Sequence, residues 1–167
     1  LGTTADLSKA ITGRVGEQEI AFAALGLSAN APRPSSNGQP GQWSVASPPD
    51  WEKTVQAMMR RAETFKVLSL HEGIEREPVP EPHIINRYRR AQFRADLDLI
   101  VAHHPHVVRG LEMDVEGRVI AYGLGDGMLH GSADISDRGY VSDYGLMLRL
   151  YYRRSSMGPV LEALEAI

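Results

Sequence analysis

The fold is decided by residues 97–107, Leu-Asp-Leu-Ile-Val-Ala-His-His-Pro-His-Val, in which an apolar run leads directly into a histidine-rich turn. The run has the length and composition of a buried strand, which we predict over residues 96–101. Three of the chain's six histidines then fall within four positions. Because α/β proteins commonly present their chemistry at the carboxyl edge of a sheet, this stretch predicts an α/β fold with a site at the end of the strand.

The spacing of the histidines favours a metal site over a cluster without function. Pro105 fixes one backbone angle between His104 and His106. If the turn is extended, alternate side chains point the same way, so these two imidazoles converge on one ion and His103 points elsewhere. Neutral imidazole is a common ligand for Zn, Mn, Fe or Ni.

A second apolar run, residues 66–70, also ends at a histidine, His71. In a parallel sheet the carboxyl ends of neighbouring strands lie along one edge, so His71 is expected to meet His104 and His106. Glu75 follows closely, and two interpretations stay open for it. It either fixes the tautomer of a ligand imidazole or is an ordinary exposed acid.

Composition limits the fold and the functions that the chain can have. The 167 residues fit one domain, residues 1–167, and 43% hydrophobic content can supply a core. A net charge of −3 gives no support for nucleic-acid binding. No cysteine is present, which excludes disulfides and thiolate metal ligands. No apolar run approaches the ~20 residues that a membrane span needs.

The first half of the chain predicts a strand, a loop and a helix. A buried strand is expected over residues 19–25 and a short helical turn over residues 6–11. The Ser-, Pro- and Gly-rich residues 28–50 predict a long loop, which Trp43 anchors to the body. A helix then runs over residues 51–64, with Asp50 as its N-cap. The residues expected on its buried face are Val55, Met58, Met59 and Ala62.

The second half predicts another helix, a hairpin and a terminal strand and helix. The helix spans residues 84–95, and its expected apolar positions are Ile85, Tyr88 and Phe93. Its four arginines, Arg87, Arg89, Arg90 and Arg94, either steer an anionic substrate or form a solvated face, which we favour. Residues 111–115 and 118–124 predict a hairpin. A loop over 130–143, a strand over 144–152 and a short helix over 159–167 complete the chain.

Three segments together resemble motifs of the bacterial CapA family, the capsule and poly-γ-glutamate synthesis proteins. Residues 71–75 (His-Glu-Gly-Ile-Glu) resemble the family's His-Trp-Gly-x-Glu. Residues 103–107 (His-His-Pro-His-Val) resemble its Gly-(His or Ala)-His-Pro-His-Val. Residues 120–126 (Ile-Ala-Tyr-Gly-Leu-Gly-Asp) resemble its Ile-x-Tyr-Ser-Leu-Gly-Asn. The segments lie in the family's order.

The family is similar to calcineurin-like metallophosphatases. The resemblance therefore implies a layered α/β sandwich with two divalent ions, Mn, Zn or Fe, at the sheet edge. It implies that His71, His104 and His106 are metal ligands. It also places Gly125 and Asp126 at the turn beside the site. Together with His103 and Glu75, these residues are expected to support the ligands or to face the substrate. The resemblance assigns no catalytic residue in this chain.

The departures from the family pattern bear on activity. Glu72 replaces Trp, Ala102 replaces Gly, Asp126 replaces Asn and Gly127 replaces Phe. The family's earlier Gly-Asp and Asn-Asn-His segments, which supply further ligands, are not in this sequence, which begins with Leu1. We therefore expect the C-terminal portion of such a domain, without its N-terminal strands. Half a ligand set would bind metal weakly, so this portion alone could be inactive.

Three functions follow as hypotheses. The first is a role in capsule or poly-γ-glutamate production, in which the full-length protein is a metal-dependent hydrolase of a phosphoester or an anionic polymer. The second is a non-catalytic scaffold or binding component that works with other cell-envelope synthesis proteins. The third is a small mononuclear metal-binding domain. The sequence leaves the location open, with a cell-envelope location of the parent protein compatible with the resemblance.

Overall fold

The computed structural model describes residues 10–26, 43–61, 65–126, 145–155 and 158–167, and every structural statement below concerns these residues. Four of the sequence predictions fall wholly or mainly outside them. These are the loop over 130–143, most of the helical turn over 6–11, most of the loop over 28–50 and the burial of Ala62. At the end of the expected helical turn, Ile11 begins a strand.

A mixed six-stranded sheet and two helices form the main body. The strands are β1 (Ile11–Val15), β2 (Gln18–Leu25), β3 (Phe65–His71), β4 (Leu99–His103), β5 (Leu111–Met113) and β6 (Val119–Ala121). The helices are α1 (Pro48–Met59), between β2 and β3, and α2 (Pro82–Ala95), between β3 and β4. The sheet order is β1-β2-β3-β4-β6-β5. The four inner strands are parallel, and β1 and β5 pair antiparallel at the two edges, which confirms the α/β fold class.

Alternation along β3 shows how the sheet divides its two faces. Lys66, Leu68 and Leu70 are buried, whereas the residues between them are only partly buried. Leu68 and Leu70 belong to the same core cluster as Met58 of α1 and Tyr88 of α2. The helices therefore cover one face of the sheet, and β3 turns its other residues, including His71, to the opposite face.

The predicted strands, second helix and hairpin are confirmed with small shifts of their ends. β5 and β6 form the hairpin, in which Met113 pairs with Val119. Trp43 is 3% exposed, and its carbonyl accepts a hydrogen bond from Gly26 N at 3.0 Å, which confirms it as an anchor. None of the helices in the described residues has the length and apolar character that crossing a bilayer requires.

The start of α1 differs from the prediction. Ser47, not Asp50, is the N-cap, and its hydroxyl accepts a hydrogen bond from Asp50 N at 3.4 Å. Pro48 and Pro49 occupy the first helical turn, where a missing N–H costs nothing, so the cap lies before them. The Asp50 carboxylate instead accepts from Ser44 N at 3.1 Å.

Met59, which was predicted to be buried, and Phe93, which was predicted as an apolar position of its helix, are both exposed. Met59 is 48% exposed and Phe93 is 79% exposed. The buried side of each helix explains both exposures. Val55 and Met58 lie on the buried side of α1, and Gln92 lies on the buried side of α2, so the next residue in each helix, Met59 or Phe93, turns towards solvent. Gln92 is buried and donates from Nε2 to Val119 O at 3.3 Å.

The prediction of a terminal helix over residues 159–167 is wrong. Gly158–Ala166 forms strand β8, which pairs antiparallel with β7 (Leu148–Ser155) in a separate two-stranded sheet. The Leu, Glu and Ala residues of this segment favour a helix locally, but pairing along the whole of β7 outweighs that small preference. Tyr152 of β7 packs edge-on against Phe65 with ring centroids 4.5 Å apart.

We predict that Asp98 makes stability depend on pH. Burial, partly opposed by the hydrogen bond from Lys66 N, raises its pKa to about 6. Because the folded protein then binds the proton more tightly than the unfolded chain, ionised Asp98 destabilises the fold above about pH 6, and this cost disappears as the pH falls towards about 4. Asp98→Asn should therefore raise the free energy of unfolding by about 1–3 kcal/mol at about pH 7.5 and by less at about pH 5. Urea denaturation at both pH values measures this.

Asp114→Asn is the matched control, and its effect on the free energy of unfolding should have the opposite sign to that of Asp98→Asn. Burial acts to raise the pKa of Asp114, but hydrogen bonds from the Arg118 backbone and guanidinium outweigh it and lower that pKa. This variant should destabilise the protein to the same extent at about pH 7.5 and about pH 5, because the lowered pKa of Asp114 keeps it ionised at both, and the loss should shrink only below about pH 4. Equal responses of the two variants to pH would contradict the assignment of Asp98.

Candidate metal centre

The site lies where β3 and β4 end. The two strands run parallel, and their register sets His71 directly opposite His103. Glu72 N donates a hydrogen bond to His103 O at 2.9 Å, so the pairing of the two strands continues one residue beyond the end of β3. The parallel arrangement therefore brings two segments that are 32 residues apart to one edge of the sheet, as the sequence predicted.

The turn after β4 is not extended. His104 has φ 113° and His106 has φ 60°, both in the region that non-glycine residues seldom adopt. The two rings still come together, with centroids 5.9 Å apart, but by a left-handed path on either side of Pro105 rather than by alternation. Strain of this kind persists only where surrounding contacts hold it, and it is typical of functional sites.

Two of the predicted ligands, His71 and His104, are in contact, and the third, His106, has its ring centroid 5.9 Å from that of His104, whereas the three residues whose donor atoms lie near enough to share one ion do not include His71. His71 Nε2 lies 3.0 Å from His104 Nδ1. On the other side of the same ring, His104 Nε2 lies 3.8 Å from Glu75 Oε1. One donor atom each from Glu75, His104 and His106 lies within 4.8 Å of the others, an arrangement that could hold a metal ion. Glu75, for which the sequence left two roles open, lies beside the His104 nitrogen that faces away from His71, where its carboxylate can fix the tautomer of His104.

His103 turns towards the cluster rather than away from it. Its Nδ1 lies 3.0 Å from Nδ1 of His71, and its Nε2 lies 3.0 Å from the hydroxyl oxygen of Ser69. The expectation that His103 points elsewhere is wrong, because His103 is the last residue of β4 and its side chain shares the face of His71.

Asp126 supports His106. Its Oδ1 lies 2.5 Å from His106 Nδ1, and its side chain is only 7% exposed. Gly125, with φ 73°, bends the chain just before it. A carboxylate at Nδ1 holds the proton there and leaves Nε2 with a free lone pair, which is how ligand histidines are oriented in many metal proteins.

The cluster favours neutral imidazoles. Burial lowers the pKa of His71, and the neighbouring His103, His104 and His106 lower it further. Burial and His104 lower the pKa of His103, and burial also lowers that of His104 against the opposing charge of Glu75. Neutral imidazole is the form that binds metals, so these rings are ready for a cation at neutral pH.

Arg109, which no sequence signal marked, holds the loop over residues 73–77. Its side chain is 1% exposed and donates to the carbonyl of Ile74 at 3.0 Å and to that of Glu77 at 2.8 Å. Its guanidinium also pairs with Glu81 at 3.3 Å. An arginine soon after an apolar strand suggests a surface position, and only the adjacent carbonyls identify its role.

Glu72, next to His71, is tied to α2. It pairs with Arg87 and accepts a hydrogen bond from the Tyr88 hydroxyl at 3.0 Å. Arg87 in turn stacks over the Trp51 ring at 4.7 Å and donates to Val45 O at 3.3 Å. The expectation that Arg87 lies on a solvated face is therefore wrong, since its charge is used inside the fold.

The other arginines of α2 lie further out. Arg89 pairs with Glu112 at 2.7 Å, and Arg94 pairs with Glu52 at 2.6 Å. Arg90 is exposed, as is His83 at the start of the helix. A solvated face is thus correct for this part of the helix.

Comparison with known proteins identifies one family. A family model described as the bacterial capsule synthesis protein PGA_cap matches residues 2–130. No curated protein matches the chain. Among solved structures, a hypothetical protein from Thermus thermophilus aligns with a TM-score of 0.49 and 11% sequence identity. The alignment covers 95% of this chain and 60% of that protein, so this chain spans well under the full length of the other.

We predict that Gly73 is essential to the loop between His71 and Glu75. Its φ is 126°, and an added Cβ would lie 2.9 Å from both Pro105 Cγ and Arg109 Nη1. Gly73→Ala should lower the free energy of unfolding by about 1–3 kcal/mol in a urea titration. Gly110→Ala is the control, because a Cβ there meets nothing within 4 Å, and it should change stability by less than about 0.5 kcal/mol. Similar losses in the two variants would contradict this account of the loop.

Proposed function

Because this chain belongs to the bacterial capsule synthesis protein family, we propose that its histidine cluster binds divalent cations and that the parent protein is a metal-dependent hydrolase. Membership of this family supports a role in capsule synthesis. The metal site and the hydrolysis are the proposal, and His71, His104 and His106 are its ligands, with Glu75 as the carboxylate nearest to them.

One observation carries the proposal, the 3.0 Å separation of His71 Nε2 and His104 Nδ1. Two nitrogen ligands at right angles on an ion, each at ~2.1 Å, lie about 3.0 Å apart. Without a cation, the same distance suits one N–H···N hydrogen bond between neutral rings. A cation can therefore replace the shared proton at the same separation of the two nitrogens, once each ring turns so that its lone pair points at the ion.

The donors fit a borderline divalent metal. Imidazole nitrogen and carboxylate oxygen suit Zn, Mn or Fe, and the sequence has no cysteine to add a thiolate. Asp126 keeps the His106 proton on Nδ1, which leaves Nε2 for the ion. The resemblance to metallophosphatases favours two ions in the full-length protein.

Bound cations of this type would act as Lewis acids towards the oxygens of a phosphoryl or similar acyl group. The chain's own residues hold the site in shape for that task. Asp126 orients His106, and the buried Arg109 fixes the loop that carries Glu75. The substrate class that we propose is therefore a phosphoester or the amide of an anionic polymer such as poly-γ-glutamate.

We predict that metal binding depends on the cluster. The 167-residue chain, titrated with Zn²⁺ and with Mn²⁺ in a calorimeter, should bind, and His104→Ala should weaken binding more than about 100-fold, beyond the usual effect of a supporting residue. His71→Ala should also weaken it. His83→Ala, at an exposed histidine away from the strand ends, is the control and should leave affinity unchanged. Equal binding by the parent and His104→Ala would overturn the metal proposal.

Hydrolysis is tested with the full-length parent protein. Metal-loaded protein should cleave a chromogenic phosphodiester or a γ-glutamyl amide, and His104→Ala should abolish the cleavage. Intact metal binding without turnover of either substrate would contradict the hydrolase and favour the non-catalytic component of capsule production.

A further inference from the structure

We propose that His103, held by Ser69, is a positioning residue that fixes the tautomer of His71 and so aims its Nε2 at the cation. The inference rests on the proposed metal site and names a supporting pair within it. Neither His103 nor Ser69 contacts the cation in this proposal, and both act through the His71 ring.

Strand register builds the pair. His71 and His103 are directly opposite on neighbouring parallel strands, and Ser69 precedes His71 by two residues on the same face. The three side chains therefore form a row on the face of the sheet away from the helices. Each adjacent pair in the row is 3.0 Å apart, from Ser69 Oγ to His103 Nε2 and from His103 Nδ1 to His71 Nδ1.

The proton count along this row is decisive. A neutral imidazole carries one proton, so one of its nitrogens donates and the other accepts. If His71 Nε2 offers its lone pair to a cation, Nδ1 must carry the proton and donate it to His103 Nδ1. His103 then carries its own proton on Nε2 and donates it to Ser69 Oγ. A serine hydroxyl can accept this bond, so every nitrogen in the row has a partner.

The energetic role of His103 follows from this count. In the cation-bound form, His71 Nδ1–H needs an acceptor, and His103 Nδ1 is the nitrogen within hydrogen-bond reach. The contact is exposed, so water can accept the proton when His103 is lost, but water does not fix the orientation of the His71 ring. Supporting residues of this kind alter metal affinity about 10–100-fold.

The test compares three variants of the 167-residue chain. His103→Phe keeps a ring against His71 but has no acceptor, and it should reduce Zn²⁺ affinity about 10–100-fold. His103→Gln retains a carbonyl that can accept, and it should recover most of that loss. Ser69→Ala leaves the His103 ring in place and should produce a smaller loss than His103→Phe. His83→Phe, at the exposed histidine of α2, is the matched control and should have no effect.

A spectroscopic readout separates positioning from general damage. In the zinc-loaded parent, long-range ¹H–¹⁵N spectra should show His71 protonated at Nδ1, with that proton protected from exchange with water. In His103→Phe the Nδ1 proton should exchange faster. Thermal melting accompanies each measurement, and Ser69→Ala gives a second reading if His103→Phe does not fold.

The outcomes distinguish this inference from the metal site itself. Zinc affinity of His103→Phe within about twofold of the parent, with His71→Ala still weakened, would overturn the role of His103 and leave the metal site in place. Unchanged affinity in His71→Ala as well would overturn the proposed function. A loss in His103→Phe that His103→Gln restores, with the change in His71 proton exchange, supports the inference.

Discussion

Parallel pairing of β3 with β4 is the constraint on which the rest of the molecule depends. It matches His71 to His103 residue for residue and delivers both strand ends to one edge of the sheet. A shift of either strand by one residue would turn the histidine of that strand to the helix-covered face, where Leu70 and Ala102 now lie in the core. The same hydrophobic packing that stabilises the sheet therefore also fixes the geometry of the cluster.

Two buried charged residues hold the loops beyond the strands. Arg109 satisfies carbonyls of the segment after Gly73, and Glu72 joins the end of β3 to Arg87 and Tyr88 of α2. Charged groups are costly to bury unless they are well paired, so each must keep its partners if the loops are to hold their shape. The loop that Arg109 holds is itself joined to the turn between His104 and His106, because Arg76 N donates to Pro105 O at 2.7 Å.

The cluster combines burial with mutual repulsion in a way that suits a cation. Partly buried imidazoles close to one another resist protonation, which lowers the pKa of His71, His103 and His104. A divalent ion gives these neutral rings the positive charge that protons would otherwise bring, and the nearby carboxylates of Glu75 and Asp126 offset it. The arrangement thus disfavours imidazolium.

The sequence by itself determined the elements whose signals are local. Apolar runs ending in histidine predicted β3 and β4, helical periodicity predicted α1 and α2, and the Glu116-Gly117 turn predicted the hairpin. Their parallel order was enough to predict that His71 and His104 meet. Long-range contacts, which no local signal predicts, produce the left-handed turn, the strand at the C-terminus, the burial of Arg109 and the approach of His103 to His71. Each of these depends on a partner distant in sequence, which supplies the pairing or compensates the strain and so overrides the preference of the local residues.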